Sequence, residues 1–197
     1  MNAHDSAPLA ADALDALIDA RAVQPAAVGA APHRPGLYAV HGAPSVWIEL
    51  GLGEAADARP LYVGKAEDSL ASRDVKTHFG TGHTANSTLR RSLAGLLRDA
   101  LDLHGRPRNI ANPGHFSSFG LEPQGDERLT AWMLDRLRLA TWAPAEPVVL
   151  DTVETALIAH WVPPLNLSKV ATPWRPKVRA GRQVLAAEAA AWLPPRT

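Results

Sequence analysis

Tyr38 and Tyr62 are the only tyrosines among 197 residues, and each stands two positions from a glycine, in Gly36-Leu37-Tyr38 and Tyr62-Val63-Gly64. Arg73 follows Gly64 by nine positions. Far downstream, Glu154 precedes Asn166 by twelve positions, and Pro163-Pro164-Leu165 leads into the asparagine. A phenol, a guanidinium and a carboxylate are the groups that phosphodiester hydrolysis uses. The reaction needs an in-line water, charge relief on the phosphate and help for the leaving oxygen. A lone carboxylate can hold Mg²⁺, which prefers oxygen ligands and keeps several waters. A guanidinium forks onto two phosphate oxygens. A phenol, with a free pKa of about 10, can accept a proton once nearby positive charge lowers that value.

These residues need elements to bring them together. Alternation from Leu37 to His41, after Pro35-Gly36, predicts one strand, and Leu61 to Gly64 predicts a second. Paired antiparallel in a suitable register, the two strands would bring both tyrosines to one site; that register is not readable from sequence. A helix capped by Asp68 or Ser69 and running to about Phe79 would carry Arg73, with Gly80-Thr81-Gly82 breaking it. A second helix, from about Ser87 to His104 with Asn86 as cap, has Leu89, Leu93, Leu96, Leu97 and Leu101 as its apolar stripe. Arg90, Arg91 and Arg98 fall outside that stripe. A helix over about Asp126 to Arg136 and a strand over Leu137 to Trp142 follow. Pro144 and Pro147 then open a helix in which Leu150, Val153, Leu157 and Trp161 share a face, with Glu154 among them and Pro163-Pro164 as its stop. Around this frame, residues 8–22 read as a short amphipathic helix capped by Ser6, and residues 42–59 as an extra strand or turn. Residues 105–123 read as a long loop, and the basic tail leads into an alanine-rich helix ending near Trp192.

In this order the motifs resemble the GIY-YIG nuclease family, which cuts nucleic-acid phosphodiester bonds with a divalent metal. The likeness covers roughly residues 35 to 170, with Leu37 and Val63 standing as apolar replacements inside the two triplets. The run Tyr62-Val63-Gly64-Lys65-Ala66 is similar to the same stretch in the bacterial excision-repair incision subunit, a member of the family. The resemblance implies an α/β fold: a small, mostly antiparallel three-stranded sheet flanked by helices. It implies Mg²⁺ or Mn²⁺ on Glu154, Asn166 bracing the site, and Arg73 stabilising the pentacovalent phosphate. Tyr62 would activate water, with Tyr38 as a positioning group or alternative base. Lys65 would lower a tyrosine pKa or bind phosphate, or be an ordinary surface lysine. Several members carry a histidine one turn after the arginine. Here His78 lies five positions after Arg73, where four would continue the same helical face. His83 belongs to a polar segment like one that enters the site of homing-type members. The spacer between the tyrosine motifs is about twice the family's usual length, which points to an insertion.

Composition limits what else the chain can be. It contains no cysteine, so disulfides and thiolate zinc sites are excluded. This is compatible with the cytoplasm, where we expect the protein. The N-terminus lacks the pattern of a secretory signal, and no apolar stretch approaches the roughly 20 residues of a membrane span. Net charge is zero but segregated: residues 69–112 hold seven Lys/Arg against three Asp/Glu, and residues 169–197 hold six against one. Such segments are either solvated helix faces or a phosphate-facing surface. On the second reading His83, Arg90, Arg91, Lys177, Arg179 and Arg182 are the nucleic-acid contacts. The expected organisation is a helical arm and linker over residues 1–33, a nuclease domain over 34–170 and a basic helical extension over 171–197. That build resembles a restriction-type endonuclease more than a repair incision subunit, which would need further domains. The expected partner is DNA, with RNA open, no membrane, and a homodimer as the simplest symmetrical double-strand cutter. A non-cleaving nucleic-acid-binding module and a repair or homing-type nicking nuclease are the competing readings.

Overall fold

The computed structural model describes residues 3–25, 33–55, 57–70 and 75–192. Strands β1 (Gly36–Gly42) and β2 (Tyr62–Ala66), the two-residue β3 (Gly105–Arg106) and β4 (Gly120–Leu121), and β5 (Leu137–Trp142) form two sheets. The main sheet has three antiparallel strands in the order β2-β1-β5, and β3 pairs with β4 as a short ribbon. Central β1 is covered on both faces, which is why Leu37 to Val40 is an unbroken buried run rather than a half-polar alternation.

The register places Gly64 opposite Tyr38 and Tyr62 opposite Val40. Both tyrosines therefore project from one face, and Leu37, Ala39 and Val63 from the other. The tyrosine face carries the larger core, built with α2 (Pro44–Glu49), α4 (Thr88–Leu97), α5 (Pro123–Arg136) and α7 (Arg175–Ala191). The opposite face is covered by α1 (Ala3–Ala16), the Leu17 that follows it and α6 (Leu150–Trp161), through Ala13, Leu17, Val153, Leu157 and Ile158. Helix α3 (Val75–Phe79) brings His78 to the tyrosine face.

Several elements differ from the sequence reading. Residues 42–59 contain a helix, not a strand: Pro44 sits in its first turn, where a missing N–H costs nothing, and Trp47 is buried edge-on against Trp174 at 5.8 Å. The cap of α4 is Ser87 rather than Asn86, its Oγ accepting from the Arg90 backbone N–H at 3.0 Å. That helix ends at Leu97, short of His104. Helix α1 lies earlier than residues 8–22 and stops at Ala16, while α6 starts at Leu150, past both prolines. The segment read as one long loop contains the β3–β4 ribbon. Downstream of α1 the chain is tied to β5: Arg138 donates to Asp19 at 2.8 Å, and Val23 forms a bridge with Leu139.

Candidate active site

Tyr38 crosses over Gly64 on the neighbouring strand. A Cβ at residue 64 would collide with the Tyr38 phenol and lie 2.9 Å from the Tyr62 ring, so only glycine lets the two tyrosines share this face. The rings then sit 6.2 Å apart, centroid to centroid, and His78 completes a triangle at 5.5 Å from Tyr38 and 6.1 Å from Tyr62. Tyr38 Oη lies 2.6 Å from His78 Nε2, and His78 Nδ1 lies 2.6 Å from Ser87 Oγ. Two imidazole tautomers satisfy this chain. In one, Tyr38 donates to the ring; in the other, the ring donates to the Tyr38 oxygen and frees the phenol proton to point elsewhere. Burial, reinforced by the nearby Arg90 charge, lowers the His78 pKa to about 4, so the ring is neutral at physiological pH.

The five-residue offset between Arg73 and His78 does not keep the histidine from Tyr38. Arg73 itself lies outside the described residues.

The second half of the site is assembled at the outer edge of β2. Asn166 lays its side-chain amide along that edge: Val63 N donates to Oδ1 at 2.9 Å, and Nδ2 donates to Val63 O at 2.8 Å. Leu165 N adds a bond to Leu61 O at 3.0 Å. The amide thus replaces a missing strand and satisfies an edge that would otherwise need water or a partner. Val162 ends α6 in a left-handed conformation, φ 48°, which turns the chain back towards β2. Glu154, only 8% exposed, lines a cleft of about 240 Å³ together with Tyr62, Thr88, Asn166 and Lys169.

Lys169 is the residue that sequence reading missed. Its Nζ donates to Glu154 Oε2 at 2.5 Å and to Asp151 Oδ1 at 2.8 Å. Burial alone would lower its pKa, but the bonds from Asp151 and Glu154 outweigh that and hold it raised. No periodicity marks it; it follows Asn166 by three positions and takes a left-handed φ of 67°.

Lys65 belongs to a different environment. Alternation puts it on the face opposite Tyr62, where it pairs with Glu67 at 2.8 Å and Asp151 at 2.9 Å. These bonds, Glu67 first, hold its pKa raised. It also lines a separate cavity of about 480 Å³ between Arg34-Pro35 and residues 144–151. The structure does not bring Lys65 to the tyrosines.

Among the basic residues the outcomes diverge. Arg90 is wholly buried, which removes it from the nucleic-acid contacts: it pairs with Asp126 at 3.1 Å and donates to Thr84 Oγ1, Thr130 Oγ1 and the His78 carbonyl. Leaving the apolar stripe therefore did not mean reaching solvent, because α5 covers that side of α4 with a carboxylate. Arg91 stays half-buried and donates to the carbonyls of Thr84 and Ala85. His83 sits half-buried at the start of the 3-10 turn Thr84–Asn86. Lys177 is exposed and donates to the Gly51 carbonyl. Arg179 is exposed, whereas Arg182 is half-buried.

The donor set fits a divalent cation of the Mg²⁺ type. No group of three or more His, Asp or Glu side chains is arranged for a metal among the described residues. Mg²⁺ needs fewer: one or two carboxylates suffice when water and a substrate phosphate complete the shell. Glu154 supplies one at the wall of a polar cleft, and its Lys169 partner shows that this position accepts a cation.

The model of the GIY-YIG catalytic domain family matches residues 49–183. The chain belongs to that family and is a nuclease of the endonuclease kind, acting on nucleic acid in a family that generally uses divalent metal ions. No curated protein and no solved structure matches it. The matched residues begin after β1, so Tyr38 enters the site through strand register rather than through the match. No helix among the described residues is long and apolar enough to cross a membrane.

Proposed function

We propose that this chain is a metal-dependent DNA endonuclease of restriction type, cutting at the cleft between Tyr62 and Glu154. The observation that carries the reading is the convergence of a phenol, a carboxylate and a strand-bracing asparagine on one polar cleft of about 240 Å³. Glu154 would hold Mg²⁺ or Mn²⁺ there, with Asn166 fixing the edge strand beside it. Bound in that position, the cation supplies charge relief to the phosphate oxygens.

Tyr62 lines the cleft, whereas Tyr38 is 4% exposed and engaged with His78. This supports Tyr62 as the group that takes the proton of the attacking water. Tyr38 and neutral His78 then act as its fixed neighbours. One P–O bond forms from the water oxygen, the P–O ester bond opposite it breaks, and the leaving oxygen takes a proton from water in the cleft. Arg73, by its place in the family pattern, stabilises the crowded phosphate. Restriction-type action is supported by α7, which shares the core of the tyrosine face by packing on α4 and β3 and so fixes a basic helix within the nuclease fold. A homodimer would supply the second cut.

Incubation of the purified protein with a mixed DNA library in Mg²⁺, followed by sequencing of the ends, tests this reading. We expect metal-dependent ends at a recurring sequence. Cleavage without sequence preference would remove the restriction-type assignment. Tight binding without any cleavage in Mg²⁺ or Mn²⁺ would favour a binding module.

A further inference from the structure

Arg91 lies one turn before Gly95 on α4, and a Cβ on Gly95 would come 2.7 Å from Arg182 N on α7, so the crossing of the two helices brings these arginines together, with Arg108 and Arg179 as further like charges. Arg182 and Arg108 repel Arg91, Arg179 repels Arg182, and Tyr62 attracts both Arg91 and Arg182. Among the described residues, neither Arg91 nor Arg182 forms an ion pair with an Asp or Glu. Burial first, then these like charges, lowers the Arg91 pKa to about 10 and lowers that of Arg182. Contrast Arg90, one residue away, whose guanidinium has Asp126 against it.

The cluster is held in place. Helix α7 crosses α4 at Gly95 and Gly181, with the two backbones so close that a Cβ on either would meet the other's main chain. Arg91 is fixed by donating to the Thr84 and Ala85 carbonyls and, at 3.4 Å, to Thr88 Oγ1, and its buried Nε has no partner among the described residues. In front of Arg179 and Arg182 lies a groove of about 380 Å³, lined also by Ser117, Leu167 and Gln183. Leu167 lines the catalytic cleft as well, so the groove adjoins the cleft. Like charges brought together and partly desolvated raise the free energy of the folded chain. Preformed guanidinium forks without an internal anion are suited to an external one, and phosphate matches them bidentately.

We propose that this groove is the track of the cleaved strand: a phosphate next to the scissile one seats between Arg91 and Arg182, and the strand then runs along α7 past Arg179. The proposal rests on the nuclease reading of the adjoining cleft and adds a second phosphate site, built from α4 and α7 rather than from the tyrosine strands.

The test uses full-length Glu154→Gln protein, to prevent cutting, and a short fluorescent duplex of mixed sequence titrated at several salt concentrations. The Arg91→Gln/Arg182→Gln variant should bind about ten- to a hundredfold more weakly, the loss expected for a charged hydrogen-bonded pair. Its log–log salt slope should fall by about 0.9 for each duplex phosphate no longer neutralised. Arg179 is exposed, so Arg179→Gln probes the groove even if a change at Arg182 disturbs α7. It should lower the slope at an unchanged melting temperature, and Arg182→Lys, which keeps the charge, should retain it. Unchanged affinity and slope in both glutamine variants would overturn the proposal while leaving the nuclease reading intact. A folded wild-type protein that neither binds nor cuts any duplex would overturn both.

Discussion

The tyrosine side and the carboxylate side of the cleft are built on different physical terms. Tyr38, His78 and Ser87 form a dry hydrogen-bonded line, with His78 7% exposed and Ser87 fully buried. Ser87 also caps α4, so the line ends on the backbone of a helix. On the other side Glu154, Lys169, Asp151 and Lys65 form a ladder of alternating charges that runs outward into solvent, and Asp151 is exposed. The Lys169 and Lys65 bonds hold the Asp151 carboxyl down at about 2. Buried, uncharged bonds fix geometry; exposed ion pairs are weak singly and exchange with ions. On the proposed mechanism, a site that holds an aromatic base still while admitting a hydrated cation needs one wall of each kind.

The most severe way to break the carboxylate side is Glu154→Gln. Removing the charge removes the cation's anchor, so cleavage should be abolished, while the basic groove keeps much of the nucleic-acid affinity. Gel-based cleavage and anisotropy binding with one substrate separate the two effects. Wild-type rates in saturating Mg²⁺ would show that Glu154 is not the ligand.

On the tyrosine side, Tyr62→Phe removes one hydroxyl and keeps the ring. Loss of the base should slow the chemical step by about 10² to 10⁴ with substrate binding preserved. Tyr38→Phe should cost less, because its hydroxyl bonds to His78 and the residue does not line the cleft. If Tyr38→Phe is the dead variant and Tyr62→Phe cuts normally, the assignments are reversed.

Stability against pH sharpens the comparison further. His78 falls from an ordinary value of 6.5 to about 4 in the folded protein. Between those values the unfolded chain binds the proton and the folded one does not, so stability rises with pH across this window. It is fully present above about pH 6.5 and is lost as pH falls towards 4, an effect of about 3 kcal/mol for the histidine alone. His41, also lowered by burial, adds the same sign. Urea melts of His78→Gln should show a shallower acid slope than wild type; an unchanged slope would mean that His78 is protonated or exposed in solution.

How much of this was legible in the sequence depended on whether a residue's role is local. The strand alternation and the helix stripe of α4 are local patterns: β1, β2 and β5 fall close to where they were expected, and α4 starts near its expected place but stops at Leu97 instead of His104. Residues 42–59 misled because Trp47, Ile48 and Leu50 read equally well as a strand; the tertiary contact of Trp47 with Trp174, more than a hundred residues away, settles the matter. Gly64 was visible as a glycine, but its reason, the Tyr38 ring crossing above it, depends on register. Arg90 and Arg91 are neighbours of identical type. Only the position of Asp126 on a helix from elsewhere in the chain makes one structural and the other part of a like-charged cluster. Lys169 carried no signal because its partner, fifteen positions upstream, is brought to it by the turn at Val162.

That lysine gives the smallest and most discriminating prediction. Its Nζ stands 2.5 Å from Glu154 Oε2, in the region a carboxylate-bound cation would share. If the ammonium is a resident counter-ion, Lys169→Met should tighten divalent-metal binding, since the metal no longer displaces a positive charge. The gain is that of a partly exposed ion pair, under about 1 kcal/mol or roughly fivefold in affinity. Titration with Mn²⁺ followed by electron paramagnetic resonance reads this without any turnover, and Lys169→Arg, which keeps the charge, should bind like wild type. Glu154→Gln/Lys169→Met should bind no better than Glu154→Gln alone, because the lysine acts only through the carboxylate. Weaker binding in Lys169→Met would reverse the assignment. The lysine would then be aiming Glu154 for the metal rather than competing with it, and the carboxylate side would be as preorganised as the tyrosine side.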